Sequence, residues 1–277
     1  EVEGRRKDGS IFPLDLSVSE VNIGDRKIYS GIVRDISERK QMETMKDEFI
    51  STVNHELRTP LTSIQGSLGL LMAMTGQHAE EKRHKLLQLA YDNCQRLSRL
   101  VNDILDMEKI AAGKMEYQLE VVEICQLVAD IVERQQSFAD KFGVSFDLQF
   151  SVSAVHVNLD QDRFDQALVN LLSNAAKFSD NGGKVEIGIA MNAASDVVIS
   201  IRDHGPGIPE AFRSKIFGKF AQADGSATRL KGGSGLGLNI TKKIIEAFHG
   251  SVDYETEEGK GTVFIFVLPV CQAQRRA

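Results

Sequence analysis

The sequence predicts a multidomain α+β protein: a partial antiparallel sheet, then a helical hairpin, then a two-layer α/β sandwich. Three observations predict it. Residues 1–36 alternate apolar and polar side chains around an Asp-Gly turn, residues 37–113 repeat apolar side chains at intervals of three and four, and residues 116–270 interleave strand-like and helix-like stretches without a regular βαβ repeat. A length of 277 residues exceeds the usual single domain, and 42% hydrophobic with 26% charged residues is an ordinary globular composition.

The first stretch carries its own turn signals. Lys7-Asp8-Gly9-Ser10 places Asp-Gly where a tight turn needs a positive backbone dihedral, and Phe12, Leu14, Leu16 and Val18 then alternate with polar or proline positions at the period of a half-buried strand. Residues 22–27 make a second turn and 28–36 a third strand. Three strands without a helix leave an apolar face with little to cover it.

From Ser37 the chain turns helical, with no glycine or proline before Pro60. Met42, Met45, Phe49, Thr52 and Val53 are spaced as a coiled-coil seam, and the pattern resumes at Leu61, Ile64, Leu68 and Leu71 until Thr75-Gly76-Gln77 ends the helix. A second helix is expected from Glu80 to Ala112-Gly113, burying Leu87, Ala90, Cys94, Leu97, Val101, Ile104 and Leu105. Two antiparallel amphipathic helices cannot shield their own apolar faces, so the expected state is a homodimer whose two hairpins form a four-helix bundle. The alternative is a hairpin packed on the globular remainder of its own chain.

Within the first helix, Phe49, Val53 and Leu57 mark a buried stripe, and His55 and Glu56 lie beside it, where a histidine can meet solvent. A helical His-Glu pair is most often a surface pair. Pro60, however, removes a backbone donor and clashes with the carbonyl of residue 56, at a cost of roughly 3 kcal/mol in a helix interior. The helix is expected to loosen there, one turn after the histidine.

In the globular part the spacing predicts a strand and helix up to residue 142, strands over 144–150 and 155–160, and a helix over 161–177. Strands over 184–190 and 197–203, a helix over 236–249 and a closing hairpin of 251–256 and 262–268 follow. Four motifs sit on this frame. Asn170 and Asn174 project from one helical face, with Lys177 and Phe178 a turn further on, and an amide oxygen suits Mg²⁺. Asp203-His204-Gly205-Pro206-Gly207 leaves a strand with a carboxylate able to accept from an exocyclic amine and glycines that let backbone approach a flat ring. Phe217 and Phe220 open a lid-length segment reaching Arg229, and Lys231-Gly232-Gly233-Ser234-Gly235-Leu236-Gly237-Leu238 opens a helix with bare amides suited to phosphate. Singly these are a solvated face, a turn, a pinned loop and a weak glycine signal; their order carries the reading.

His55-Glu56-Leu57-Arg58-Thr59-Pro60-Leu61 resembles the phosphoacceptor (HisKA) box of sensor histidine kinases, and the four motifs in sequence resemble the boxes of the GHKL, or Bergerat (HATPase_c), ATP-binding fold. The run from Gly4 to Pro13, with Asp35-Ile36-Ser37-Glu38-Arg39, resembles the last strands of a PAS sensor domain and its junction to an output helix. The resemblance implies units at 1–36 (PAS strands), 37–48 (coiled-coil linker), 49–113 (dimerisation and phosphotransfer hairpin) and 116–270 (ATP-binding domain), with a tail over 271–277. It implies ATP and Mg²⁺ as cofactors, with Asn174 as the metal ligand supported by Asn170, and Lys177 facing phosphate. Phe178 would lie on adenine and Asp203 would take its amino group, with Gly205, Gly207 and Thr262 shaping that pocket. Gly233, Gly235, Leu236 and Gly237 would wrap the phosphates, and Phe217, Phe220 and Arg229 would belong to the lid. His204 and Asn54 depart from residues frequent in the family.

The implied reaction is attack of neutral His55 on the γ-phosphate, with Glu56 orienting the imidazole or taking its proton, followed by transfer to an aspartate of a response regulator. Glu56 and Thr59 also match the family's phosphatase signature, although a threonine before proline can equally bond back into its own helix. Hydrolytic GHKL relatives use a base near the first asparagine, where this chain has Asp165 and Gln166, but they lack the preceding hairpin. A silent ATP-binding relay is a further alternative. The net charge of −6 argues against nucleic acid as a partner, and three scattered cysteines fit a reducing cytoplasm. No apolar run nears the ~20 residues of a membrane span. A bacterial, cytoplasmic protein is expected, with membrane attachment through upstream sequence left open, because the chain starts on a strand without a methionine.

Overall fold

The computed structural model describes residues 1–23, 26–74, 80–221 and 235–271. Strands β1 (Val2–Arg5), β2 (Ile11–Ile23) and β3 (Arg26–Asp35) form an antiparallel sheet in that order. Gly9 takes a φ of +91° in the first turn, and the Ser10 N–H donates to Asp8 Oδ1 at 2.9 Å. Leu14 is buried, but Leu16 and Val18 on the same face are exposed. The half-buried strand read from the sequence therefore exists only beside the exit to the first helix, where the Ile36 N–H bonds to the Pro13 carbonyl and Ile36 is itself buried.

That exit is fastened by Asp35. Its carboxylate accepts the Ser37 N–H at 2.9 Å and pairs with Arg6. Hydrogen bonds from Ser37, side chain first and then backbone, and from Arg6 hold its pKa at about 2 against an ordinary 3.8. A depressed carboxylate contributes stability in full above its unfolded value, and that contribution is lost as pH falls from 3.8 through about 2. An NMR titration of the Asp35 carboxyl is expected to show this low midpoint, and Ser37→Ala is expected to move it upward.

Helix α1 (Ser37–Ala73) continues without a break through Pro60. The expected loosening is thus confined to the missing N–H of Pro60, and in the same turn the Thr59 hydroxyl donates to the His55 carbonyl at 3.2 Å. The turn expected at 75–77 lies outside the described residues. Helix α2 (Glu80–Ala111) returns antiparallel and ends at Gly113, whose φ is +63°. There Gly113 N–H bonds to Ile110 O and Lys114 N–H to Lys109 O, the paired bonds of a glycine-terminated helix.

The hairpin's apolar residues divide between two faces. Phe49, Leu57, Leu100, Ile104 and Met107 pack into the core of the α/β unit of the same chain, so the alternative of intrachain packing holds for this side. Leu61, Leu68, Leu87, Val101 and Leu105 are exposed in the single chain, as is Cys94, so the burial that the helical spacing predicts for Leu87, Cys94, Val101 and Leu105 is not supplied by the chain's own packing. Asn93 Nδ2 to Ser63 Oγ (3.2 Å) and Arg96 Nη2 to Glu56 Oε2 (3.2 Å) tie the two helices in register.

The α/β unit contains β4 (Glu120–Glu123), α3 (Ile124–Asp140), β5 (Ser145–Phe150), β6 (His156–Leu159), α4 (Gln161–Phe178), β7 (Lys184–Met191) and β8 (Val197–Asp203). A short α5 (Glu210–Arg213), α6 (Gly237–Ala247), β9 (Ser251–Glu257) and β10 (Gly261–Leu268) complete it. Five strands form one sheet in the order β5-β7-β8-β10-β9, parallel only between β5 and β7, and β4 pairs separately with β6. Helices α3, α4 and α6 pack together over this sheet. Glu123 caps α3 through the Cys125 and Gln126 N–H groups, and Asp160 caps α4 through that of Arg163. The core between the layers holds Phe164, Leu168, Leu171, Ile187, Ile189, Ile199 and Phe266, all at most 1% exposed, with Phe164 and Phe266 edge to face at 6.3 Å.

Candidate active site

Helix α4 carries Asn170, Asn174 and Lys177, with Asn170 facing the start of α6 and Lys177 near Arg96 and Arg99 of α2. Asn170 Nδ2 donates to Thr241 Oγ1 at 3.0 Å, and a Cβ at Gly237 would come within 2.2 Å of Asn170 Oδ1. Glycine at 237 is thus what lets the two helices meet. The Asn174 amide makes no hydrogen bond among the described residues, and its oxygen is a suitable hard ligand for a divalent cation. Burial pushes the Lys177 ammonium below its ordinary 10.5, and the charges of Arg99 and Arg96 on α2 push the same way.

Asp203 ends β8 and is 6% exposed. Its Oδ1 accepts the N–H groups of Gly205 at 3.0 Å and Thr262 at 3.2 Å, which leaves Oδ2 to accept from a ligand donor such as an exocyclic amine. Burial raises its pKa above 3.8, partly offset by these two bonds and by His204. Gly261, at a φ of +104°, sits so close that a Cβ there would lie 2.0 Å from the Asp203 carbonyl. The Thr262 hydroxyl meets that of Thr256 at 3.0 Å, and Thr256 in turn accepts the Ile208 N–H at 2.9 Å, fixing the turn that carries Gly205 and Gly207. Phe178 ends α4 against this turn, its carbonyl touching Gly205. His204 pairs with Glu186 at 3.3 Å and is turned to solvent.

Of the two aromatics expected to open a lid, Phe217 packs its ring on Tyr254 at 5.9 Å, and its carbonyl accepts from Asn239 at 2.7 Å. Phe220 has a φ of +55° and packs edge to face on Phe49 of α1 at 5.1 Å. Gly235 lies against the backbone of Phe220, and Leu236 is fully buried at the head of α6. Arg229 and Gly233, with the rest of 222–234, lie outside the described residues.

On α1 the His55 side chain is 78% exposed and that of Glu56 only 16%. Glu56 Oε1 lies 3.9 Å from His55 Nδ1, and Glu56 Oε2 takes Arg96.

Comparison with known families bears on both halves. Residues 45–113 match the His Kinase A (phospho-acceptor) domain, and residues 159–272 match the histidine kinase-, DNA gyrase B- and HSP90-like ATPase family. The sensor histidine kinase WalK of Bacillus subtilis is 31% identical over 275 residues, 99% of this chain. The chain belongs to the sensor histidine kinases. It spans 44% of the length of WalK, less than half of that relative. The full-length histidine kinase ShkA, solved in complex with AMPPNP, superposes with a TM-score of 0.60 at 30% identity over 82% of this chain and 46% of that one. Histidine kinase ThkA, solved with response regulator protein TrrA, shares the fold with a TM-score of 0.62 at 23% identity, over 95% of this chain and 80% of that one.

Several residues at this histidine kinase's site had no signal in the sequence. Arg96, Thr241 and Thr256 reach it from other elements, and only their distant contacts reveal them. Asp106 is another: on α2, 7% exposed, it accepts from Arg163 Nη1 at 2.9 Å and Gln166 Nε2 at 2.8 Å, joining the hairpin to α4. Asp165 pairs with Arg134. The two residues considered as a hydrolytic base are therefore both engaged in structural contacts.

Proposed function

We propose that the chain autophosphorylates on His55 from Mg-ATP and passes the phosphoryl group to an aspartate of a response regulator. The observation that carries this reading is the Phe220–Phe49 contact, which rests the lid of the nucleotide unit on the helix bearing His55, less than two turns before it. His55 Nδ1 faces Glu56, so Nε2 is the free nucleophile. Its lone pair forms the N–P bond as the bond from phosphorus to the β–γ bridging oxygen breaks, and ADP leaves with that electron pair. Glu56 receives or steadies the Nδ1 proton, since a positioned acceptor is what such a step needs.

Asp203 and Phe178 would hold the adenine, Gly235, Leu236 and Gly237 the phosphates, and Lys177 would add charge beside them. Bound Mg²⁺, held by Asn174, would neutralise the phosphate oxygens; Asn170 supports it indirectly by docking α6. The commitment of Asp165 to Arg134 and Gln166 to Asp106 favours phosphotransfer over hydrolysis. The exposed apolar side of the hairpin supports a homodimer, and the sheet before it reads as the last strands of a PAS module. A phosphatase step toward the partner would use Glu56 and Thr59, whose hydroxyl would first have to leave the His55 carbonyl.

The test is incubation with γ-labelled ATP and Mg²⁺. Acid-labile, alkali-stable label that is absent in His55→Gln is expected. Rapid phosphate release undiminished in His55→Gln would indicate a hydrolase, and bound ATP with neither outcome would indicate a silent relay.

A further inference from the structure

We infer that Arg96 of α2 is a positioning residue for phosphotransfer: by binding Glu56 Oε2 it leaves Oε1 as the oxygen that faces His55 Nδ1. The inference rests on the proposed autophosphorylation and adds to it a residue that lies 40 positions away from Glu56 in the chain. The geometry carries it. His55 and Glu56 are adjacent on one helix, yet the imidazole is 78% exposed while the carboxylate is only 16% exposed. Glu56 lies on the inward face of α1, in line with half-buried Val53 and buried Pro60, and the guanidinium of Arg96 meets its carboxylate there at 3.2 Å. A monodentate grip on one oxygen fixes the direction of the other. Here that direction is toward Nδ1, 3.9 Å away, a separation that a small rotation of either side chain closes to a hydrogen bond.

The consequence is a fixed tautomer. An acceptor opposite Nδ1 keeps the imidazole proton there and leaves the Nε2 lone pair for phosphorus. Asn93, one turn before Arg96 on α2, bonds at 3.2 Å to Ser63, two turns past Glu56 on α1, and holds the two helices in the register that this reach requires. Arg96 also adjoins the nucleotide unit: with Arg99 it lies close enough to Lys177 for its charge to depress that ammonium. One guanidinium therefore touches the helix that accepts the phosphoryl group and borders the pocket that donates it. A lysine could keep the charge but not the planar fork.

The experiment compares wild type, Arg96→Gln and Arg96→Lys in steady-state autophosphorylation and in ¹⁵N NMR of the His55 imidazole. Arg96→Gln is expected to lower kcat about tenfold, a fraction of the ~10²–10⁴ that a positioned acid or base contributes, with KM for ATP unchanged. Arg96→Lys is expected to recover part of that loss. The ¹⁵N shifts of Arg96→Gln are expected to move from the Nδ1–H tautomer toward a mixture, which a merely structural role for Arg96 would not produce. An unchanged kcat with an unchanged tautomer overturns the inference, as does a loss that appears in KM alone. A wild-type protein that takes no label on His55 overturns the phosphotransfer reading itself, whereas a labelled wild type with an unaffected Arg96→Gln overturns only the role given to Arg96.

Discussion

Asp203→Asn is expected to weaken ATP binding by about 10- to 100-fold, the equivalent of the ~1.5–3 kcal/mol carried by a hydrogen bond to a charged group. The substitution keeps the shape and keeps an oxygen for the Gly205 and Thr262 N–H groups, which bind Oδ1. It replaces Oδ2 by an NH₂ group, and two amino groups would then face each other across the adenine edge. Calorimetric titration with ATP measures the loss directly. Glu186→Gln, at an exposed carboxylate paired with His204 and Arg202, is the control expected to leave affinity unchanged. Equal affinities for wild type and Asp203→Asn would remove Asp203 from base recognition.

Phe164→Ala is expected to destabilise the α/β unit by about 3–5 kcal/mol. Phe164 is 0% exposed on the first turns of α4, packed edge to face on Phe266 of β10, so truncation opens a cavity between helix and sheet. That helix carries Asn170, Asn174 and Lys177, and a cavity under its start also loosens the Arg163–Asp106 joint beside it. Denaturant unfolding of the α/β unit measures the change. By contrast Arg134→Ala, which breaks a largely exposed pair with Asp165, is expected to cost no more than about 1 kcal/mol.

Most elements of the α/β unit were legible because their signals are local. The helix over 161–177 starts at a capping aspartate, Asp160, and its apolar side chains recur at helical spacing up to Phe178. The strand ending at Asp203 alternates buried and partly buried residues, and the helix that follows Gly235 is strongly amphipathic. The short α5 escaped because four residues give no period to read.

The hairpin was harder for a physical reason. Spacing reports that a helix has an apolar stripe, not what covers it, and Phe49 and Leu57 turn out to pack on the α/β unit while Leu87 and Val101 remain exposed. Pro60 illustrates the opposite limit, since a local cost does not break a helix whose adjoining turn, at Leu57, is held by tertiary packing. In the candidate site, the groups with a pattern of their own, His55, Asn174 and Asp203, could be named from sequence. Arg96, Asp106 and Thr241 could not, because a side chain that acts by reaching another element leaves no spacing behind.

The most direct test of the account is mass spectrometry of the protein after incubation with Mg-ATP, kept at alkaline pH to preserve phosphoramidate. The account predicts one added phosphoryl group, located on the peptide that contains His55 and lost on acid treatment. A phosphoryl group on any other residue, or none while ATP is bound, would contradict it.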